Sequence, residues 1–297
     1  MSEIFKDLCF LKLTSEESAE KFRKGTRDFD DLVVFKDNSS GVIFLKDFYT
    51  GDKTYIAGKY RKDEILKTKD SYYLRRMDYR CFDDCRRRIK AFERFYINKD
   101  ILDFGCGHGD FLLEASKYTK SSRGIDLQEE LISALKSKNI DCYKSIDEIP
   151  DESLDAIFLF HVFEHLPNPR KILTKLKGKL RLGGHLILEV PHAMDFLVSI
   201  LNEESFLKWY FWSQHLILHT SQSLRIFLED AGFSEIIVKG IQRFPISNHF
   251  FWLKNCKPGG HESSLAFLET EQLNLSYERA LSSIGANDTL ISIAKKV

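Results

Sequence analysis

The stretch "ILDFGCGHGDFL", residues 101–112, combines an acid with three closely spaced glycines, a pattern that suits the binding of a small ligand. Asp103 lies near the end of an apolar run, and Gly105, Gly107 and Gly109 follow at alternate positions. Glycine permits positive φ angles and lets a ligand approach the backbone without meeting a Cβ. The stretch therefore predicts a strand followed by a ligand-binding loop.

The spacing of this loop argues against a dinucleotide ligand. The dinucleotide fingerprint is G-x-G-x-x-G, but Asp110 occupies the position of its third glycine. Asp103 would repel a pyrophosphate and attract a cationic amine. A ligand with an amino-acid zwitterion and no phosphate fits both facts, and S-adenosylmethionine is such a ligand. Asp126 lies about 20 residues beyond the loop, where a carboxylate can accept hydrogen bonds from ribose hydroxyls; a helix N-cap is the structural alternative.

A second polar cluster, "HVFEH" at residues 161–165, follows the fourth apolar run of this part of the chain. His161, Glu164 and His165 are candidate catalytic residues, and His192 after "LEVP" is a comparable one, because histidine suits proton removal near neutral pH. The spacing H-x-x-E-H also occurs in inverted zinc-protease motifs. Those motifs lie on a helix, whereas this one follows a strand, so we predict no metal site here.

From Lys99 onward, apolar runs of strand length alternate with segments of helical spacing. This alternation predicts an α/β fold with an open parallel sheet and helices on both faces. The runs that we interpret as strands are "DILDF", "SRGIDL", "DCYKSI", "LDAIFLFHV", "HLILEVP", "SEIIVKGIQRF" and "DTLISIAKKV". The helix before the fifth strand is predicted to run from Pro169 to the pair Gly183 and Gly184.

The chain divides into a small extension and one large domain. Residues 1–70 are predicted as a β-rich N-terminal extension with a hairpin around "DNSSG". Residues 71–297 form the main domain, which begins with a helical lead-in at 71–97 whose interleaved arginines and acids indicate a solvated face. Two insertions, at about 192–220 and about 245–285, are long enough to be lids or binding loops for a second substrate.

The two insertions supply candidates for an acceptor pocket. Those of the first insertion are Trp209, Tyr210, Trp212, Gln214, His215 and His219. Those of the second insertion are Asn248, His249, Lys257 and His261. Packing within the insertions explains the aromatic residues equally well, whereas the polar set would suit a hydroxylated or anionic acceptor such as a nucleotide-linked sugar.

Composition narrows the possible partners. Forty-four basic residues balance forty-four acidic ones, so no global field attracts nucleic acid or anionic lipid. The longest apolar runs are too short to span a bilayer, and the opening "MSEIFKDLCFLKLTSEE" has acids where a signal peptide needs basic and then apolar residues. Cys81 and Cys85, one helical turn apart, are predicted to be packed thiols rather than metal ligands. We therefore expect a cytoplasmic protein.

Five segments in order resemble class I S-adenosylmethionine-dependent methyltransferases across roughly residues 98–297. They are "ILDFGCGHGDFL", "GIDLQEELI", "SLDAIFLFHVFEHLPNPRKIL", "LRLGGHLILEVP" and "LRIFLEDAGF". The chain looks closest to the small-molecule branch that includes ubiquinone-biosynthesis O-methyltransferases and the methyltransferases of sugar and surface-polysaccharide pathways. The resemblance implies a Rossmann-like seven-stranded sheet and S-adenosylmethionine as the cofactor.

The resemblance also assigns cofactor contacts. It implies that Asp103, Gly105 and Gly107 hold the methionine end and that Asp126 holds the ribose. It implies further that Ser145 and Ile146 border the adenine and that Phe160 and His161 lie near the sulfonium. The predicted cofactor set is completed by neighbours in sequence, namely Cys106, Gly109 and Leu127.

The preferred interpretation is a methyltransferase that acts on a small molecule, with a sugar or surface-polysaccharide precursor as the best candidate. The first alternative is an O-methyltransferase of quinones or other aromatic metabolites. A non-catalytic S-adenosylmethionine-binding regulatory module and a dehydrogenase are alternatives from other classes. No nucleic-acid partner and no integral membrane association are expected, since the charge is balanced and the "NPPY"-type segment of amino-directed DNA enzymes is replaced by "FHVFEH".

Overall fold

The computed structural model describes residues 2–51 and 83–297 and arranges their strands in two sheets. The strands are β1 (Ala19–Lys24), β2 (Val33–Asp37), β3 (Ile43–Phe44), β4 (Asp100–Phe104), β5 (Ser121–Ile125), β6 (Asp141–Tyr143), β7 (Leu154–Phe160), β8 (Leu180–Pro191), β9 (Ile217–Leu218), β10 (Phe233–Ile241) and β11 (Thr289–Lys296). Cys81, the boundary at residue 70 and the start of the helical lead-in lie outside the described residues.

The helices are α1 (Glu3–Phe10), α2 (Glu93–Tyr96), α3 (Asp110–Ala115), α4 (Glu129–Lys136), α5 (Pro169–Lys179), α6 (Phe196–Ser199), α7 (Glu204–Tyr210), α8 (Ser221–Asp230), α9 (Ile246–Asn255) and α10 (Glu271–Ser283). Residues 83–91 are also helical and precede α2. Among the described residues, no helix combines the length and the apolar character that crossing a membrane requires.

The large sheet has the order β10-β11-β8-β7-β4-β5-β6, so all seven predicted strands are present in one sheet. Strands β4 to β8 pair in parallel, as expected from the alternation of strands and helices. Strand β11 departs from that expectation, because it is antiparallel to both β8 and β10. An antiparallel neighbour needs no crossover, and the second insertion therefore opens at the same edge of the sheet as the carboxyl ends of β7 and β8.

Helices cover both faces of this sheet, and β7 shows why. Ile157 and Leu159 belong to the core on one face, whereas Ala156 and Phe158 belong to the core on the other. Successive side chains of a strand point to opposite faces, so an unbroken apolar run is buried on both. The carboxyl ends of the strands are consequently the accessible edge at which polar residues can collect.

The small sheet joins the N-terminal extension to the first insertion. Its order is β1-β2-β3-β9 with antiparallel pairing throughout, and the pairing of β2 with β3 confirms the hairpin around "DNSSG". Helix α1 was not anticipated from the sequence; it buries Ile4, Phe5 and Leu8 and is capped by Ser2. Strand β9 comes from the first insertion, so these two parts of the chain fold as one unit.

The predicted end of the helix before the fifth strand was wrong. Helix α5 ends at Lys179, and β8 begins directly at Leu180. Leu180 is fully buried and pairs with Leu154 of β7, so the chain enters the sheet before the two glycines rather than after them. Burial of a leucine against a neighbouring strand outweighs the stop signal that the glycine pair carries.

Candidate cofactor and acceptor site

The glycine loop follows β4 at the carboxyl edge of the sheet. Gly105, Gly107 and Gly109 have φ angles of +79°, +58° and +78°. A Cβ at Gly105 would lie 2.4 Å from Val162 Cγ2, and one at Gly109 would lie 2.3 Å from Leu135 Cδ2. Gly105 and Gly109 are therefore required by close packing as well as by backbone conformation.

Asp126 fastens this loop to the end of β5. Its Oδ2 accepts a hydrogen bond from the Gly107 amide at 3.0 Å, and its Oδ1 accepts one from the Gln128 amide at 2.9 Å. Gln128, not Asp126, occupies the N-cap position of α4, so the N-cap alternative was wrong. Carboxylate oxygens have further acceptor capacity, which leaves Asp126 able to accept from ribose hydroxyls. Leu127, next to it, is exposed.

Asp103 is buried beside the loop without a full set of partners. Its side chain is 4% exposed, and its Oδ1 has no hydrogen-bond partner among the described residues. Burial raises the pKa of Asp103 to about 7. A cationic group beside the carboxylate would stabilise its charged form. S-adenosylmethionine would place its ammonium at Asp103 and its ribose hydroxyls at Asp126. The glycine loop lies between these two acids.

The other predicted cofactor residues occupy defined positions near this edge. Ser145 accepts a hydrogen bond from the Asp147 amide and begins the 3-10 turn that contains buried Ile146. Phe160 stacks on Phe92, and the Arg88 guanidinium lies 4.3 Å from the centre of its ring. Direct contact of these residues with the cofactor stays a prediction.

Cys106, within the glycine loop, has an internal neighbour that the sequence did not suggest. Its Sγ lies 3.8 Å from Sγ of Cys142 in β6. Gly124 separates the loop from this strand, and a Cβ there would lie 2.7 Å from the Cys106 sulfur. Cys106 therefore packs into the sheet instead of facing only the ligand loop.

His161 is held in a strained conformation directly after β7. Its φ angle is +56°, which is uncommon for a residue other than glycine, and its amide donates to the Glu189 carbonyl at 2.8 Å. Arg243 Nη1 donates to His161 Nε2 at 2.8 Å. Because a guanidinium cannot accept a hydrogen bond, this contact requires a lone pair on Nε2 and leaves the proton on Nδ1, 3.4 Å from Glu164 Oε1.

Glu189, near the carboxyl end of β8, is the centre of a buried charge network. It is fully buried and accepts hydrogen bonds from Arg87 at 2.8 Å and from Arg88 at 2.7 Å. Burial would raise the pKa of Glu189, but Arg88 and His161 hold it well below its usual range. The expectation of a solvated arginine face was wrong for these two arginines, because they bind an acid about a hundred positions away that the sequence pattern could not connect with them.

A second ion pair links the same helical segment to the end of β10. Asp84 accepts hydrogen bonds from two nitrogens of the Arg243 guanidinium, Nη2 and, at 3.1 Å, Nε. Asp288 accepts from the backbone amides of Arg243 and Phe244. Asp84 and Arg243, together with His261 of the second insertion, line a cavity of about 110 Å³.

Glu164 and His165 form a 3-10 turn after His161. Glu164 is fully buried, and neither of its carboxylate oxygens has a hydrogen-bond partner in the described part of the chain. Burial would raise the pKa of Glu164, but His165 and His161 lower it to about 2. His165 Nδ1 donates to the Gln214 carbonyl at 2.7 Å, which fixes the ring against the first insertion.

His192 is buried at the end of β8. Its side chain is 4% exposed, and its Nδ1 donates to the Asn287 carbonyl at 2.8 Å. Burial lowers the pKa of His192 to about 4, so the ring is neutral at pH 7. The Tyr210 hydroxyl donates to the His192 carbonyl at 2.9 Å, which connects this turn to the first insertion.

Several predicted acceptor residues instead pack the insertions. Asn248 accepts from the Gly259 amide at 3.2 Å, and His249 shares a hydrogen bond of 2.6 Å with the Tyr277 hydroxyl. His219 is fully buried and contacts Ser223. Asn248 and His249 are both only 3% exposed, so they stabilise the second insertion rather than present an open surface.

The residues at this edge of the sheet that sequence reasoning missed are charged groups brought together from distant segments. They are Asp84, Arg87, Arg88, Glu189, Arg243 and Asp288. One signal was present: Glu189 is the only acid in the apolar run "HLILEVP". A charged residue in the middle of a buried strand requires a partner, and the arginine-rich lead-in supplies two.

A separate cavity of about 770 Å³ lies at the opposite edge of the sheet and is lined by Lys99, Asp155 and His185 among others. These residues lie at the amino ends of β4, β7 and β8 or just before them. Ligands of open α/β sheets bind beyond the carboxyl ends of the strands. We therefore do not assign the cofactor to this cavity.

Comparison with known proteins agrees with the geometry. Residues 73–237, more than half of the chain, match a family model described as a methyltransferase domain. The chain therefore belongs to this methyltransferase family, in the class whose methyl donor and cofactor is S-adenosyl-L-methionine. The strand order and the loop after β4 are those of its Rossmann-like fold.

Curated relatives match parts of the chain. It is 36% identical to the tRNA U34 carboxymethyltransferase of Nautilia profundicola over 103 residues, which is 31% of this chain and 34% of that protein. It is 29% identical to the mitochondrial ubiquinone biosynthesis O-methyltransferase of Candida albicans over 134 residues, 39% of this chain and 37% of that protein. The ubiquinone biosynthesis O-methyltransferase of Coxiella burnetii is 24% identical over 167 residues, 51% of this chain and 70% of that protein. The first two relatives are thus matched over only about a third of their own length.

Solved structures share the fold. An S-adenosylmethionine-dependent methyltransferase from Archaeoglobus fulgidus has a TM-score of 0.53 and 21% identity, covering 76% of this chain and 100% of that one. A possible histamine N-methyltransferase from Thermotoga maritima has a TM-score of 0.51 and 15% identity, covering 76% of this chain and 95% of that one. At these identities the likeness is one of fold alone.

Proposed function

We propose that the protein transfers a methyl group from S-adenosylmethionine to a polar small molecule, with a sugar or surface-polysaccharide precursor as the preferred acceptor. The observation that carries the proposal is the buried Asp103 carboxylate, whose Oδ1 has no hydrogen-bond partner among the described residues, beside the glycine loop and Asp126. A buried carboxylate with spare acceptor capacity suits the donor's ammonium. The same arrangement argues against a dehydrogenase, because a pyrophosphate would meet this acid.

The charged residues near the ends of β8 and β10 support a polar acceptor. Arg87, Arg88 and Arg243 lie there with three acids, Asp84, Glu189 and Asp288. Groups of both signs would favour an acceptor that carries several hydrogen-bonding groups. An isoprenoid acceptor would instead call for a broad apolar surface.

Two alternatives follow from the relatives. The ubiquinone biosynthesis O-methyltransferases favour an aromatic hydroxyl as acceptor, and the aromatic first insertion with Trp209 and Trp212 is compatible with that. The tRNA-modifying relative is matched over 34% of its length, so its substrate has weaker support. The balanced charge of 44 basic and 44 acidic residues also argues against an RNA acceptor.

The chain's own residues must hold the acceptor in line and, for a hydroxyl acceptor, take its proton. Bound S-adenosylmethionine supplies an activated methyl group. His192 donates from Nδ1 to the Asn287 carbonyl, which leaves the lone pair on Nε2. His161 Nε2 already accepts from Arg243. We therefore assign proton acceptance to His192 Nε2 and a positioning role to His161.

The domain organisation remains part of the proposal. The described part of the extension, residues 2–51, and the insertions at about 192–220 and about 245–285 would form the acceptor side, and the large sheet would form the cofactor side. Pairing of β3 with β9 supports a joint role for the extension and the first insertion.

Turnover with a labelled methyl donor tests the function. Purified protein is incubated with labelled S-adenosylmethionine and either nucleotide-linked sugars, phenolic quinone precursors, tRNA or a fractionated metabolite extract, and products are detected by mass spectrometry. We expect label in the sugar fraction.

Label in the quinone or tRNA sample would identify that class as the acceptor instead of a sugar. Cofactor binding without methyl transfer in any sample would favour a non-catalytic module. Calorimetric binding of NADH in place of S-adenosylmethionine would refute the cofactor assignment.

Alanine variants test the two histidines. His192→Ala should keep its affinity for S-adenosylmethionine and lose turnover by about 100-fold or more, the usual contribution of a general base. His185→Ala, in the same strand but away from this edge, is the matched control and should retain turnover. Near-normal turnover of the His192 variant would return that residue to a structural role.

A further inference from the structure

Three side chains that could bind a metal ion converge beside the end of β7. Glu164 and His165 belong to the 3-10 turn after that strand, and His215 comes from the first insertion, fifty residues further along the chain. One ligand atom of each residue lies within 4.8 Å of the ligand atoms of the other two. The fold, not the local sequence, brings the third of these residues to the other two.

Glu164 has no hydrogen-bond partner that would account for its burial. Its side chain is fully buried, and both carboxylate oxygens lack hydrogen bonds within residues 2–51 and 83–297. His161 Nδ1 lies 3.4 Å and His165 Nε2 lies 3.9 Å from Oε1. Burying a carboxylate without a direct hydrogen bond is unfavourable, so this position suits a cationic ligand.

The two histidines are oriented as metal ligands are. His165 Nδ1 donates to the Gln214 carbonyl at 2.7 Å, so its proton is on Nδ1 and Nε2 presents a lone pair toward Glu164. A ring nitrogen that donates to a backbone carbonyl is the usual outer contact of a metal-bound histidine. His215 Nδ1 is buried and has no hydrogen-bond partner in the described part of the chain. The two imidazole rings lie 5.1 Å apart.

We propose that Glu164, His165 and His215 bind one divalent transition-metal ion, for which zinc is the best fit. Two imidazole nitrogens and one carboxylate oxygen are a common zinc donor set, whereas calcium and magnesium prefer oxygen ligands. Ligand atoms of a tetrahedral zinc site lie roughly 3.3 Å apart, given bonds of about 2.0–2.2 Å. The observed separation of 3.9 Å between His165 Nε2 and Glu164 Oε1 needs only a small side-chain adjustment.

This site revises the prediction of no metal, which depended on the absence of a helix under the H-x-x-E-H spacing. Only Glu164 and His165 of that spacing take part. His161 is excluded because its Nε2 accepts from Arg243 and its Nδ1 proton faces Glu164. Three protein ligands leave one tetrahedral position for a water molecule.

The ion would join three parts of the fold. The Leu216 amide, next to His215, donates to the Glu164 carbonyl at 2.9 Å, and Ile217 then begins β9 in the small sheet. An ion at this position therefore fastens the end of β7 to the first insertion and, through β9, to the N-terminal extension. Its loss should loosen the small sheet before it affects the large one.

The test is metal content. The full chain is purified without chelators or metal-affinity resin and analysed by mass spectrometry for metals, then stripped with a chelator and titrated with Zn²⁺. We expect about one zinc per chain, stoichiometric rebinding, and a lower Tm for the stripped protein. Protein that contains no stoichiometric metal and takes up none on titration would overturn the proposal, and would leave Glu164 paired with a protonated imidazole.

Variants assign the ligands. His215→Ala and Glu164→Gln should each lose stoichiometric zinc, whereas His219→Ala, a buried histidine four residues further in the same insertion, should keep it. Equal loss in His215→Ala and His219→Ala would contradict the ligand assignment. If the ligand variants do not fold, Co²⁺ bound to the stripped wild-type protein decides the matter: visible absorption bands of tetrahedral cobalt support the site, and a spectrum of hexaaqua cobalt refutes it.

The inference is independent of the proposed function. Binding of S-adenosylmethionine is measured in parallel on the zinc-loaded and stripped proteins. Zinc binding without cofactor binding would refute the proposed function alone, and cofactor binding without zinc uptake would refute the metal site alone.

Discussion

The proposed cofactor end and the proposed acceptor end of the site are built in different ways. At the cofactor end, Asp103, the glycine loop and Asp126 lie within one stretch of 24 residues, and their contacts are mainly to backbone amides. At the acceptor end, Glu189 pairs with arginines 101 and 102 positions away, and Asp84 pairs with Arg243 159 positions away. The residues proposed to hold the cofactor thus form a local motif, whereas those proposed to face the acceptor are assembled from distant segments.

The two ends also differ in how they treat buried charge. Asp103 is buried with a carboxylate oxygen that lacks a partner among the described residues, a position that a cation could fill. Glu189 is buried with two arginine partners already present. The first arrangement would suit a cationic ligand at some expense of stability, whereas the second is already paired and stabilises the fold. The following variants test that contrast, beginning with the largest expected effect.

Gly105→Val should weaken cofactor binding by about 100-fold. The side chain would meet Val162 at 2.4 Å and would force valine into φ +79°. Overpacking and backbone strain together cost roughly 3 kcal/mol, equivalent to about 100-fold in Kd. Calorimetric titration with S-adenosylmethionine measures this. Gly178→Ala in α5 is the control, since a Cβ there meets no atom within 4 Å; equal affinities of the two variants would refute the loop as the site.

Glu189→Gln should destabilise the acceptor end and leave the cofactor end intact. The substitution removes the negative charge that Arg87 and Arg88 share. Breaking a buried pair costs about 3 kcal/mol, which denaturant unfolding detects, and turnover should fall with it. Glu235→Gln, in an exposed pair with Lys295, should cost less than about 0.5 kcal/mol. A large loss of cofactor affinity in the Glu189 variant would show that the two ends are not separable.

Asp103→Asn should stabilise the unliganded protein at pH 8 and weaken cofactor binding. Burial raises the pKa of Asp103 to about 7, so the ionised form is disfavoured in the folded state. We expect a gain of about 1–2 kcal/mol in the free energy of unfolding and a loss of about tenfold in affinity, since the charged hydrogen bond to the ammonium is lost. Asp126→Asn should instead destabilise the protein, because the carboxylate loses one of its two hydrogen bonds from the amides of Gly107 and Gln128. Asp103→Asn with unchanged affinity would mean that the ammonium binds elsewhere.

The pH dependence of the wild type should show the smallest effect. Between the ordinary aspartate pKa of 3.8 and about 7 the folded state holds a proton on Asp103 that the unfolded state releases, so this group makes stability fall as pH rises through that range. Cofactor affinity should change in the other direction and weaken severalfold as pH falls below about 7. Calorimetry at pH 6, 7 and 8 measures it. A profile that is equally steep in Asp103→Asn would assign the dependence to another group.

The sheet was predictable because its signals are local. Buried parallel strands have apolar residues on both faces, and the nearly continuous apolar run "LDAIFLF" indicates such a strand. The start of β8 was misplaced because Leu180 gains its burial from pairing with Leu154, a contact that the local pattern "LRLGG" does not express. Helix α1 was missed because a short amphipathic turn is stabilised by the sheet that it covers rather than by its own propensity.

Site residues that lie close together in the sequence could be predicted, whereas those brought together from distant segments could not. Asp103 and Asp126 could be selected because each follows an apolar run at a spacing with chemical meaning. Arg88, Glu189 and Arg243 could not be combined, since an arginine in a charged helix and an acid in a strand carry no information about each other. His215 was interpreted as an acceptor residue for the same reason: its proximity to Glu164 arises only when the insertion folds back onto β7.

The pairing of β3 with β9 limits how this protein could acquire a new acceptor. Besides the two strands, the Asp28 carboxylate accepts from the amide and the hydroxyl of Ser213, and the Arg27 amide donates to the Phe211 carbonyl. An insertion taken from another methyltransferase would leave β3 as an unpaired edge, open to association with other chains. The module that can be exchanged is therefore the N-terminal extension together with the first insertion, and chimaeras should divide the chain accordingly.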